Sequence, residues 1–249
     1  MIDISTLGVS GFNGAILGMR NPFKNRDKSD SGWGSPDYDP YDDDDDDDIV
    51  FYYIIGKEDL ELAQKLIRAG GDDDAKFMRM IHVQADVRAP LYWWKEFDTY
   101  KVATVANSES TMHTIHKREF DLNDFAHDYL DDMDLHITWA NQDYHDASLD
   151  CLRDIIGVLN ALRKLYLEAV EAKDPDAKKI WYQIIQLLPE SYIQKRTIDL
   201  NYQTLRRIYF ARRNHKLNEW HKFCDWIRTL LYAEELITYN PSEARRDMA

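Results

Sequence analysis

The chain has 249 residues and a mass of 29.4 kDa, with 44% hydrophobic and 12% aromatic residues. That balance suits a folded protein of one large or two small domains and excludes a disordered chain. A formal charge of −14 argues against general nucleic-acid coating, so no DNA partner is expected, and no apolar run reaches the roughly 20 residues of a membrane span. Two cysteines, Cys151 and Cys224, make neither a disulfide framework nor a metal-ligand spacing. The expected setting is the cytoplasm, with both thiols reduced and no secretion signal at the N-terminus.

From the N-terminus, residues 1–20 suggest a short strand and then a helix over SGFNGAILGMR, with Ser10 as its cap. Asn21 to Asp48 is rich in Pro, Gly, Ser and Asp and reads as a long acidic surface arm. Seven consecutive aspartates, Asp42–Asp48, close it. They lack the alternating spacing and turn glycine of a calcium loop and read as solvated acidity. The main domain is expected over residues 49–235, followed by a tail over 236–249.

Ile49–Ile55, a β-branched and aromatic run ended by Gly56, predicts a buried strand. Leu60, Ala63, Leu66 and Ile67 predict a helix over Lys57–Ala69, stopped by Gly70 and Gly71. Phe77–Val87 alternates weakly, as a strand does, although its start has a helical look. Helices are expected over Phe120–Tyr129, Ser148–Ala172 and Asp176–Leu188; Leu149, Leu152, Ile156, Leu159, Leu162 and Tyr166 make the middle one clearest. Thr197–Arg213 reads as a further helix broken by Asn214-His215-Lys216. Leu217–Leu231 follows, with Leu217, Trp220, Cys224, Ile227 and Leu231 facing inward. Few strands and many helices give an α+β fold, helix-rich in its C-terminal half.

Charge is unevenly placed. Residues 1–50 carry 12 acidic and 4 basic side chains, whereas Gln194–Arg228 carries 9 basic and 3 acidic ones. Such a basic island suits a small phosphate-bearing ligand; it also suits plain solvation of helix faces. On the predicted helix from Thr197, the residues Asn201, Leu205, Ile208 and Arg212 share a stripe. A buried Asn and Arg there need partners, either a ligand or an acid of the same chain. No P-loop, dinucleotide fingerprint or readable nucleophilic triad is present, and His113 and His116 alone make no metal site.

The densest chemistry lies in Ala89–His113, APLYWWKEFDTYKVATVANSESTMH. Asn107, Ser108, Ser110, Thr111 and His113 gather amides and hydroxyls that either satisfy turns or hold a polar ligand. Trp93, Trp94 and Tyr100 offer stacking faces, although core packing is the commoner fate of such rings. The run NSESTMH resembles the Asn-Glu-x-Ser-x-Arg-Tyr end of the signature of flavin-dependent thymidylate synthases, the ThyX family. The Arg-His-Arg triplet of that signature falls on Tyr100, Lys101 and Val102, or, with a short insertion, on Lys95, Glu96 and Phe97. Downstream, Leu187–Pro189, Thr197, Asn201, Leu205 and Arg212 follow the family's order. Gln203 stands where the family has an Arg, and Asn218 where it has a Gln. The match runs over about residues 50–230, and the N-terminal part is similar to bacteriophage and prophage variants.

The resemblance implies a ThyX-like fold with a small, mainly antiparallel sheet, assembled as a homotetramer. It implies methylation of dUMP or a related pyrimidine nucleotide with bound FAD, and NADPH and methylene-tetrahydrofolate as co-substrates. Ser110 would be the catalytic contact. Ser108, Ser110, Asn201 and Arg212 would bind substrate, and Lys95, Tyr100, Lys101, Asn107 and Asn218 would bind cofactor. The altered triplet equally suits a nucleotide- or protein-binding descendant that has lost the chemistry, with the cofactor normally supplying the reactive group.

Overall fold

The structure, a computed structural model, describes residues 1–34, 52–71, 73–131, 134–139 and 142–240. The aspartate run and the first residues of the strand expected over Ile49–Ile55 lie outside these. In chain order the elements are β1 (Asp3–Ser10), α1 (Phe12–Met19), β2 (Gly32–Gly34), β3 (Tyr52–Ile54), α2 (Lys57–Ala69), β4 (His82–Pro90), α3 (Leu91–Phe97), β5 (Thr104–Ser108) and α4 (Thr111–Thr114). Then come β6 (Asp134–Trp139), β7 (Gln142–Ala147), α5 (Ser148–Glu171), α6 (Ala177–Leu187), β8 (Ile193–Asn201), α7 (Tyr202–Arg212) and α8 (Asn218–Arg228). One four-stranded sheet has the order β1-β4-β8-β5, and β2–β3 and β6–β7 form two hairpins. The fold is α+β, helix-rich with a small antiparallel sheet.

Two compact units interleave along the chain: Met1–Asp3, Val87–Thr99 and Asn107–Thr197 form one; Ile4–Asp86, Tyr100–Ala106 and Ile198–Ala249 form the other. In the first, α5 and α6 enclose Ile115, Phe120, Phe125, Leu152, Ile156, Leu159 and Ile184, all buried. The helix expected over Phe120–Tyr129 is absent. Asp121 and Asp124 instead close a reciprocal capping box around the short turn Leu122–Asp124, and Phe125 leaves it in extended geometry. The local side-chain bonds and the burial of Phe120 and Phe125 outweigh the helical pattern.

In the second unit, Phe12 packs edge-on to Tyr202 and Tyr232, at 5.6 Å in each case, and stacks on Tyr53. Gly11, not Ser10, precedes α1 as its cap residue, at φ 95°, and a Cβ there would lie 1.9 Å from the Met80 carbonyl oxygen. Gly70 ends α2 as expected, in left-handed geometry. The N-terminus of α2 is capped from a distance. Its own cap residue, Gly56, offers no side chain, and the Asp30 carboxylate accepts from the backbone N–H groups of Glu58 (2.9 Å) and Asp59 (3.0 Å). Beneath it, buried Asp59 pairs with buried Arg20 and accepts from the hydroxyls of Ser29 and Ser31, each at 2.6 Å.

The helix predicted from Thr197 begins later. Ile193–Asn201 is strand β8, with Ile198 and Leu200 buried in period two, and Asn201 caps α7 by accepting from the Thr204 N–H at 3.0 Å. Asn201 and Arg212 therefore do not share one helical stripe. In α8, Trp220, Cys224 and Ile227 are buried as expected, and Leu217 and Leu231, outside the helix, are half-buried. Burial pushes the Cys224 thiol up to about 11, so it is an inert core group.

Candidate functional site

In the first unit the chain turns from β5 into α4 through Glu109 and Ser110. The Glu109 N–H donates to the Lys195 carbonyl at 2.9 Å, and the Gln194 amide returns a bond to the Glu109 carbonyl, also at 2.9 Å. These bonds fix the segment against the start of β8. Ser110 sits at the start of the short helix α4, exposed, and its hydroxyl makes no capping bond. Its carbonyl serves the turn instead, accepting from Thr114 Oγ1 at 2.7 Å. Asn107 and Ser108 are exposed on β5.

Ser110 lines a cleft of about 390 Å³ with Glu109, Thr114, Lys117, Arg118, Phe120 and Tyr192, roomy enough for a small polar ligand. Arg118 is held in a fork by buried Asp124, which further raises its already high pKa. Lys117 is exposed and makes no ion pair among the described residues. Burial raises the Tyr192 phenol above its ordinary value; the Asp124 and Glu109 carboxylates push the same way, and Arg118 pulls it back. Tyr192 therefore stays a neutral hydroxyl donor, beside two cations and the Ser110 hydroxyl. Lys117, Arg118 and Tyr192 were not singled out from the sequence. The basic triplet His116-Lys117-Arg118, directly after the Ser110 segment, is the signal that could have found the first two.

Lys95, expected at a cofactor, is exposed on α3 and paired with Glu190 in the same unit. The first N–H groups of α3, on Leu91 and Tyr92, donate to the carbonyls of Tyr192 and Glu190 at 3.0 and 3.1 Å, which holds that loop in place. Trp93 and Trp94 are 0% and 1% exposed and pack with Phe97, so neither presents a stacking face. Trp94 Nε1 donates to the Gln194 carbonyl at 3.0 Å, and the Arg196 guanidinium lies 4.2 Å from the Trp94 ring centroid.

In the second unit, Tyr100 and Arg212 come together. Arg212 Nε donates to the Tyr100 hydroxyl at 2.8 Å, and its guanidinium lies 4.7 Å from the Trp220 ring centroid. Lys101 and Val102 are exposed in the following turn, which Ala103 closes at φ 59°. Asn218 is exposed in the first turn of α8. Neighbouring Arg206 reaches the carbonyls of Ile237 (2.8 Å) and Tyr239 (2.7 Å), clamping the turn after α8. A larger cleft of about 790 Å³ in this unit is walled by Gly14, Gly18, Phe23, Phe77 and Met80, with Arg26, Lys76 and Arg79 among its polar groups.

No protein-family model and no curated protein matches the sequence. Solved structures do match. Thymidylate synthase X from Helicobacter pylori, solved with FAD and dUMP, aligns at a TM-score of 0.57 and 12% identity, covering 95% of this chain and 97% of that one. A second structure of the flavin-dependent thymidylate synthase ThyX from Helicobacter pylori, complexed with FAD and dUMP, aligns at 0.56 and 12%, covering 94% and 97%. A UMP/dUMP methylase, PolB, from Streptomyces cacaoi, bound with 5-Br dUMP, aligns at 0.51 and 14%, covering 96% and 95%. At these identities the likeness is one of fold: this chain has the ThyX fold over nearly its whole length. No helix among the described residues is long and apolar enough to cross a membrane.

Proposed function

We propose that this chain binds a pyrimidine nucleotide on its ThyX fold, in the cleft around Ser110. The observation that carries the reading is the convergence of an uncommitted hydroxyl, an unpaired lysine, a fixed arginine and a neutral tyrosine in one cleft. Lys117 and the outer N–H groups of Arg118 suit a phosphate. Ser110 and the Tyr192 hydroxyl suit the carbonyl and ring nitrogen of a pyrimidine. dUMP is the natural first ligand, because two of the similar structures were solved with it. Ser108 and Asn107 are exposed on the strand that leads to Ser110 and are not among the residues that line the cleft.

A second reading, favoured by the near-complete coverage of chains solved with FAD and dUMP, is full flavin-dependent methylation of dUMP. It would draw the methylene from reduced folate and hydride from NADPH, in a homotetramer. The flavin would supply the redox chemistry. With the triplet on Lys95, Glu96 and Phe97, Lys95 is already paired with Glu190; with it on Tyr100, Lys101 and Val102, only Lys101 is charged and Tyr100 already accepts from Arg212. Neither set of three residues fits a flavin phosphate, so the nucleotide reading does not draw on flavin.

The test is equilibrium dialysis of dUMP, with absorbance from 300 to 500 nm after adding FAD with and without dUMP. Binding of dUMP without a flavin band supports the first reading. A flavin band that dUMP perturbs moves the assignment to the second. Failure to bind dUMP under either condition overturns both.

A further inference from the structure

The α4 segment of the first unit borders two clefts. Ser110 and Thr114 line the one described above. Met112 and His113 line another, of about 320 Å³, which the last turns of α5 and the first turns of α6 complete through Tyr166, Val170, Lys178 and Trp181. Its walls are largely apolar. Met112 and Val170 are each 50% exposed and Trp181 is half-buried, so large apolar side chains meet water together rather than singly. Trp93 and Trp94 are sealed in the core; Trp181 lines the cleft and meets Tyr182 edge-on at 5.1 Å. A half-buried indole in a cleft wall leaves ring surface for a flat ligand, and the Met112 thioether adapts to its outline.

The polar groups of this cleft carry positive charge or none. Lys178 is exposed and makes no ion pair among the described residues. The His113 ring is exposed and makes no hydrogen bond among them. His116, half-buried, sets its ring edge-on to Tyr166 at 5.2 Å, and its Nδ1 is buried without a partner. A buried ring nitrogen in that state is costly and calls for a further partner. No carboxylate, amide or aliphatic hydroxyl side chain is among the residues that line the cleft. In a chain of formal charge −14, a cleft with a lysine, two imidazoles and no acid selects for an anion.

We propose that this cleft binds a small aromatic carboxylate, with its ring against Trp181, Met112 and Val170 and its anionic end on Lys178. The size is that of a small-molecule site, largely apolar with a few convergent polar groups. The walls have nothing to offer the hydroxyls of a sugar, so a free aromatic acid fits better than a second nucleotide. An acid without a ring would leave the apolar wall wet, and a neutral aromatic would leave Lys178 without a counter-charge. The two imidazoles can each donate or accept, which suits a substituent on the ring. This site does not depend on the nucleotide reading of the Ser110 cleft.

The experiment is isothermal titration calorimetry of the full chain with cinnamate, and with cinnamamide as its uncharged counterpart of nearly the same shape. Cinnamate is expected to bind the wild type, and cinnamamide to bind about 10- to 150-fold more weakly, the size of one charge-assisted contact. Lys178→Gln should weaken cinnamate by the same factor and leave cinnamamide little changed. Met112→Glu, which sets a carboxylate in the exposed wall, should abolish cinnamate binding. Lys222→Gln, exposed on α8, should change neither ligand. Circular dichroism and melting confirm that these exposed substitutions leave the fold intact; should Met112→Glu fail to fold, Lys178→Gln decides alone. No binding of cinnamate at about 1 mM, equal binding of the amide, or full affinity in Lys178→Gln or in folded Met112→Glu would overturn the proposal.

Discussion

Asp59 is the buried charge whose removal is expected to cost most. It is 0% exposed, its partner Arg20 is 4% exposed, and it also accepts from Ser29, Ser31 and the Asp30 N–H. Asp59→Ala leaves the Arg20 guanidinium buried without a counter-charge, a loss of about 3–5 kcal/mol. For a chain of this length each kcal/mol moves Tm by roughly 2–4 °C, so the variant should melt about 6–20 °C below wild type. Urea unfolding followed by tryptophan fluorescence gives the same quantity as a fall in midpoint at constant slope. The double variant Arg20→Met with Asp59→Leu separates the pair from the packing: with neither charge present, much of the lost stability should return. A melting point for Asp59→Ala within about 2 °C of wild type would refute the reasoning, as would a double variant no better than the single one.

Further expectations follow from the same contacts. Burial alone would raise the Asp59 carboxyl, but hydrogen bonds from Ser29, Ser31 and Arg20, with the charge of Arg20, hold it below its ordinary value. A depressed carboxyl contributes stability that is present above its unfolded pKa of about 3.9 and is lost as pH falls through the folded value. The gap in unfolding free energy between wild type and Asp59→Asn should therefore narrow on acidification below about pH 4 and stay level above it. Asn201→Ala removes the cap of α7 and should cost about 0.5–2 kcal/mol in urea unfolding, with Asn201→Asp retaining most of it. Lys117→Ala should weaken dUMP binding about 10- to 150-fold, the equivalent of about 1.5–3 kcal/mol. Lys222→Ala, exposed on α8, should leave that binding unchanged in the same dialysis assay.

The sequence was a sound guide where periodicity and punctuation agreed. The helices over α2 and α5 were legible because their apolar spacing ends at glycine or at a polar turn, and the ThyX resemblance pointed to the fold through order and spacing alone. It misled where a short-range pattern has two solutions. Ile193–Asn201 carries branched and polar residues that fit either period, and only pairing in the sheet selects the strand. Asn201 looked like one member of a helical stripe because its role as a cap depends on where the helix starts. Arg212 needed a partner, and the sequence left it open between a ligand and an acid; among its partners in the structure are Tyr100 and Trp220, aromatic contacts that charge counting does not find. Lys117 and Arg118 lay just beyond the motif that drew the eye. Their place beside Ser110 depends on the turn at Asp121–Asp124, where a helix was expected.

The hairpin of β2 and β3 pairs Gly34 directly with Tyr52, so the acidic stretch of sequence between them leaves and returns at a single point. A closed loop pays for added length only logarithmically, about 0.6 kcal/mol for each doubling. Lengthening or shortening the sequence between Gly34 and Tyr52 should therefore cost little, while Asp30, Ser31 and Asp59 keep their bonds to either side of it.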